Sequence, residues 1–263
     1  MQQIIMKIIP KIDYEKFVKP ILCMFGLYTL GIISIIRADF LYIDDLGRAL
    51  AGYRFDIFAR YVSDFLAIFL HADTRITDIS PLPQLIAALL IACASVLLVY
   101  IISGDKINKT ACFLSLPIGL SPYFLECFSY KFDAPYMALS ILVSIVPFLF
   151  MCNLLWFLVC SIISIWIMLT TYQASSGIYI VIVMMLCFKA WNEREKTDGE
   201  IIRFAAVSAL SYCAAMIYFF FFVMKGIKTY LSLDMHTLPV GVLNNFISYT
   251  DTFSTLSREK ENF

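Results

Sequence analysis

The chain has 263 residues, 61% of them hydrophobic and 15% charged, against roughly 45–50% apolar and about 25% charged in soluble domains. That composition excludes an ordinary soluble enzyme, and twenty Lys and Arg balanced by twenty Asp and Glu leave no basic surplus for nucleic acid. Lipid is the expected surrounding, because several apolar runs are long enough to cross a hydrocarbon layer of about 30 Å as helices.

In chain order, MQQIIMKIIPKIDYEKFVKP carries four lysines ahead of the first long apolar run. No small-residue cleavage signal follows, so the run reads as a retained span rather than a removed signal peptide. That first span covers about 20–36, and a 44-residue polar segment separates it from a second at 81–102. A third, 111–124, contains Pro117 and Pro122 and is expected to be short or kinked. The polar stretch ECFSYKFDA leads to a fourth span at 135–151, and a turn at Cys152 and Asn153 allows a fifth at 154–170. TTYQASSG precedes a sixth at 178–191, NEREKTDGE a seventh at 202–224, and 225–263 form a polar tail. The expected fold is thus all-α and polytopic, with about seven transmembrane helices.

Lysines and arginines near span ends favour a cytoplasmic N-terminus by the positive-inside rule. Outside the long first loop and the tail, short loops hold ten such charges on the inner side and one on the outer. Within the outer loop, 57–71 place Ile57, Phe58, Tyr61, Phe65, Ile68 and Phe69 on one helical face, with Arg60 and Asp64 paired four residues apart on the other. Such a helix fits flat on a membrane surface, or packed against the bundle without functional meaning.

The eight cysteines are scattered, nearly all in apolar runs where thiols act as small hydrophobes. Neither a disulfide framework nor a CxxC pair is present, and His71 and His236 lie far apart, so a zinc site is not expected. Phosphate loops of the GxxxxGK[ST] type and GxSxG elbows are absent as well. No cofactor is expected, and one acidic pair gives no support for a divalent metal.

Four polar clusters fall on the predicted outer side: 37–50, 60–84, 126–136 and 170–177. Ionisable groups near membrane depth are costly unless they pair, face a cavity or serve a reaction. The adjacent carboxylates Asp44 and Asp45 could supply a general base, one orienting the other or raising its pKa; Asp44 could equally just cap a helix. Arg37, Arg48, Arg60 and Lys131 are candidate phosphate clamps, though arginines beside a membrane commonly meet headgroups or pair with nearby Asp. Glu126 and Asp133 flank Lys131 and could pair with it or bind substrate. Tyr172 and Gln173 offer a hydroxyl and an amide suited to sugar hydroxyls, although tyrosine at a membrane interface is ordinary.

IDDLGRALAGY (43–53), DISPLPQ (78–84), FSYKFDAPYMALS (128–140) and TTYQASSGIY (170–179), in that order between spans, resemble the Gtr-type serotype-converting glucosyltransferases of bacteria and their phages. The resemblance covers roughly 20–225. It implies a GT-C-like enzyme of the bacterial inner membrane that takes glucose from undecaprenyl-phosphate glucose on the periplasmic face and attaches it to an O-antigen sugar of lipopolysaccharide. It also implies an acidic residue in the first outer loop, which maps onto Asp44 and Asp45. Residues 1–224 would form the transmembrane glycosyltransferase domain. Many members are longer, so 225–263 read as the start of a C-terminal region in the periplasm.

The expected chemistry is an inverting transfer in which Asp44 or Asp45 takes the acceptor proton, while Arg48, Arg60 or Lys131 stabilise the departing phosphate. Glu126, Asp133, Tyr172 and Gln173 would contact the acceptor. The rival readings are a transporter or flippase of lipid-linked sugar, or an accessory membrane subunit. A transporter should show polar groups deep in the spans and an inverted repeat, and neither is visible in the sequence.

Overall fold

A computed structural model describes residues 14–52, 54–104, 107–194 and 196–224, and every regular element among them is a helix. The N-terminal Lys7 and Lys11, loop Lys106 and the tail at 225–263 lie outside the described residues.

The helices start where local chemistry supplies a first turn. Proline, whose fixed φ suits that turn, stands there in α1 (Lys19–Gly31), in α5 (Leu82–Ser103), and again in α7 (Pro117–Leu120), α8 (Pro122–Ser129) and α9 (Ala134–Ile145). Asn108 caps α6 (Lys109–Leu114) by accepting from the Thr110 amide at 3.0 Å. Asn153 caps α10 (Leu154–Leu169) by accepting from the Leu155 and Trp156 amides. A Thr197/Glu200 capping box opens α12 (Asp198–Tyr218), which follows α11 (Ser176–Asn192).

Three helical stretches among the described residues are long and apolar enough to cross a membrane: Leu82–Ser103, Gln173–Asn192 and Asp198–Val223. A fourth is formed if Lys109–Leu120 and Pro122–Ser129, bent by 58°, make one broken span. The bend is the kink that two prolines predict: Ser121 is extended ahead of Pro122, as a pre-proline residue prefers. The other apolar runs form shorter elements. The first breaks at Ile32 into α1 and α2 (Ile33–Ala38), the fourth ends α9 in a 3₁₀ turn at Val146–Phe150, and the fifth is the 16-residue α10.

α5 is the central helix, packed between α1 and α9, with α10 beyond α9 and α12 beyond α10. Its buried face carries Ala87, Ala88, Ala92, Ala94 and Ser95, small residues that let helix backbones approach closely. α11 and α12 are different: Met184, Phe188, Leu210 and Ile217 stay exposed, a surface that hydrocarbon would cover and water would not.

The long segment after α2 folds as a cap. It holds α3 (Asp44–Ala51), a 3₁₀ turn at Asp56–Phe58 and α4 (Tyr61–His71). A second apolar cluster, Phe55, Ala67, Ile76, Phe132 and Tyr136, seats the cap on the bundle. The expected helix over 57–71 is therefore shorter, because the left-handed Ala59 (φ 60°) separates the 3₁₀ turn from α4. α4 buries Ser63 and Ala67 against the bundle and leaves Tyr61, Phe65 and Phe69 outward, so packing and an exposed aromatic stripe coexist.

Candidate active site

Ile43 sits at φ 42°, ψ −96°, a region that costs a β-branched residue on the order of 1–3 kcal/mol. That turn opens α3 on Asp44 and Asp45, and their shared backbone sends the two carboxylates to different surroundings. Asp44 is exposed, whereas Asp45 is 0% exposed. Asp45 Oδ2 accepts from the Tyr42 amide at 3.2 Å and from the Lys131 amide at 2.9 Å, while its Oδ1 is buried without a hydrogen-bond partner. Burial pushes the Asp45 carboxyl above its ordinary range, against the pull of those amides. Asp45 thus ties α3 to the turn before α9, and Asp44 is the carboxylate of the pair that solvent reaches.

One turn further, Arg48 points inward and is 1% exposed. Its Nη2 donates to Asp133 Oδ1 at 3.2 Å, its Nε lies 3.1 Å from Oδ2, and its guanidinium stacks 4.1 Å from the Phe55 ring centre. Arg60 approaches the same carboxylate from the residue just ahead of α4, with Nη1 2.9 Å from Oδ1. Burial raises the Asp133 carboxyl, and the two guanidinium groups pull it back only in part, so the net shift is upward. Two guanidinium groups within ion-pair distance favour the ionised form of that carboxyl. Arg60 also lies 5.2 Å over the Tyr172 ring; its Nε has no partner, and its side chain is 19% exposed.

Lys131 is nearly buried, yet its ammonium reaches Asp39 and, at 3.1 Å, Asp78. Burial lowers the Lys131 pKa, and the two carboxylates more than reverse this, so the net shift is upward. The expected pairing of Lys131 with Glu126 or Asp133 is therefore replaced. Asp133 is taken by the arginines, and Glu126 accepts from the Tyr42 hydroxyl at 3.2 Å. The expected Arg60–Asp64 pair is replaced too: Arg54 clamps Asp64 through Nε at 2.8 Å and Nη2 at 2.6 Å. Arg60 is the N-cap of α4: its carbonyl accepts from the Asp64 amide at 2.9 Å, but its backbone is non-helical (φ −91°, ψ 54°), so its side chain leaves the helix face on which that pair depends.

The turn at 170–173 closes the site. Val62 and Ser63 amides, at the start of α4, donate to the Thr170 carbonyl at 3.2 and 3.4 Å. Gln173 Nε2 donates to the Phe58 carbonyl at 3.1 Å, so its amide joins the cap to the bundle. Tyr172 rests against Arg60 and the Cys127 thiol, and burial raises its phenol. Tyr42 and Tyr130 meet edge to face at 5.0 Å. Burial, with Asp44 and Glu126 nearby, pushes Tyr130 up to about 12 and keeps it protonated. Arg37 is exposed at the end of α2.

The four predicted polar clusters therefore meet at one end of the bundle. Asp39, Asp78, Tyr42, Tyr130 and Arg54 belong to the network and were not singled out from sequence. Lys131 is 92 residues from Asp39 and 53 from Asp78, separations at which no local spacing rule operates. Among the described residues no group of three or more His, Cys, Asp or Glu is placed to hold a metal ion.

The family described as "Glucosyl transferase GtrII" matches residues 33–262. An "Uncharacterized 55.3 kDa protein in gtrB 5′region" of Salmonella phage P22 is 25% identical over 244 residues, covering 88% of this chain. The chain spans 49% of that relative's length. No solved structure matches the chain.

Proposed function

The chain belongs to the glucosyl transferase GtrII family, and from that premise we propose that it is a membrane glucosyltransferase whose reaction occurs at the cluster around Asp44, Arg48, Arg60 and Asp133. The substrates are a polyprenyl-phosphate glucose, of the undecaprenyl type, and a sugar hydroxyl of O-antigen lipopolysaccharide, so the product is a serotype-modifying branch. The observation that carries this reading is Arg60: one nitrogen is anchored by Asp133, Nε is buried without a hydrogen-bond partner, and the side chain remains partly exposed, while the exposed carboxylate Asp44 acts electrostatically on the same Asp133.

In the proposed step the acceptor oxygen attacks the anomeric carbon while Asp44 takes its proton. The bond from that carbon to the lipid phosphate breaks, and the phosphate leaves with the electron pair, giving inversion. Arg60 faces the charge growing on the phosphate, where a preorganised donor is most effective. Arg48 and Lys131 act from behind it, Arg48 by fixing Asp133 and Lys131 by fixing the turn that carries Asp133. Asp45 orients α3. Tyr42, Tyr130 and Tyr172 supply aromatic walls and Glu126 a carboxylate for sugar hydroxyls. No cofactor enters the step.

The remaining apolar helices complete about seven spans in this reading. The lysine pattern puts the N-terminus in the cytoplasm and the cap in the periplasm. A groove lined by Ser34, Ile35, Ala38, Phe40, Tyr42 and Ser129 runs beside the site on the α2 side, and it offers the polyprenyl chain a path from the bilayer.

The test is transfer of radiolabelled glucose from undecaprenyl-phosphate glucose to O-antigen lipopolysaccharide in vesicles carrying the chain. Asp44→Asn and Arg60→Ala should each lower transfer by about 100-fold or more, with unchanged protein level. Wild-type transfer in both variants would refute the assignment.

A further inference from the structure

At the end of the bundle away from the charged cluster, α1 and α6 diverge around a cleft of about 730 Å³. α5 begins next to Asp78 of the cluster and ends just ahead of this region, so its 22 residues separate the two by about 33 Å. The rim carries three ammonium groups, Lys16, Lys19 and Lys109, against one carboxylate, Glu15. Met24, Leu27 and Phe113 form an apolar wall, and Phe113 is largely exposed. Lys16 is steadied over the Tyr100 ring at 5.3 Å. A surplus of cations above an apolar wall matches one occupant: a phosphate headgroup with a hydrocarbon chain attached.

We propose that this cleft is a binding site for an anionic phospholipid, its phosphate among Lys16, Lys19 and Lys109 and an acyl chain along Met24, Leu27 and Phe113. The site depends on the chain lying in a bilayer and is independent of the transfer reaction. Its lysines belong to the set that the positive-inside rule assigns to the cytoplasmic leaflet, so it would seat a lipid on the side opposite the proposed chemistry. Lysine suits the role, because a compact ammonium on a flexible stem follows a mobile headgroup.

Native mass spectrometry of the full chain, titrated with phosphatidylglycerol and in parallel with phosphatidylcholine, measures the binding. Wild type should retain phosphatidylglycerol preferentially. Lys16→Ala/Lys19→Ala/Lys109→Ala together should weaken it by at least about tenfold, and the triple arginine variant should restore it. Phe113→p-benzoylphenylalanine should photo-crosslink to lipid, which reports on the cleft even if the alanine variant folds poorly. Equal binding of both lipids, undiminished binding by the alanine variant, or a crosslink to the chain's own polypeptide would overturn the proposal.

Discussion

Asp133→Ala is the most informative single substitution. It removes the carboxylate that two guanidinium groups share, and those groups differ in burial. Arg48 is 1% exposed and held at 3.1 and 3.2 Å, so it would lose a buried ion pair, at a cost of about 3–5 kcal/mol. Arg60, with a side chain 19% exposed, can turn toward solvent, and its loss of pairing adds less than about 1 kcal/mol. For a chain of this size the sum lowers Tm by roughly 6–24 °C, measurable by thermal unfolding of the purified protein in detergent. Arg60→Ala should shift Tm far less, although transfer fails. Arg48→Met/Asp133→Leu, which removes both buried charges, should recover most of the loss. If Asp133→Ala unfolds within about 1 kcal/mol of wild type, or Arg60→Ala costs as much as Asp133→Ala, the buried ion-pair account is wrong.

The adjacent carboxylates should separate in the same assays. Asp45→Asn keeps one oxygen for the Tyr42 and Lys131 amides and should melt close to wild type, whereas Asp45→Ala strands two buried donors and should cost about 1–3 kcal/mol. A Cβ at Gly119 would come within 2.6 Å of the Tyr28 ring and 2.7 Å of Ile91. Gly119→Ala should therefore destabilise the α1–α7–α5 contact by about 1–3 kcal/mol, seen as a lower Tm. His71 accepts from the Thr77 amide at 3.4 Å, and burial lowers its pKa. With the folded pKa below the unfolded value of about 6.5, its stabilisation is complete above that pH and lost as pH falls through the lower folded value. A Tm profile against pH should show that acid-side loss in wild type and not in His71→Gln; identical profiles would refute it.

Local chemistry along the chain is enough to specify the class and much of the scaffold. Runs such as PLPQLIAALLIACASVLLVYII declare a membrane-length helix because length and apolarity are local properties, and α5 covers Leu82–Ser103 as a result. The third run was legibly kinked because proline acts on its immediate neighbours. The candidate residues were legible as types, since acidic and basic groups between apolar runs are few. What they do to one another depends on how the folded helices bring them together. Adjacent Asp44 and Asp45 look equivalent in sequence, yet the strained turn at Ile43 exposes one and buries the other. Arg60 looks like the helical partner of Asp64 until the left-handed Ala59 delays the helix start and Asp133, 73 residues away, claims it. Charge pairing follows distance in space, and in a bundle that distance is set by which helix ends the packing of α1, α5 and α9 brings together.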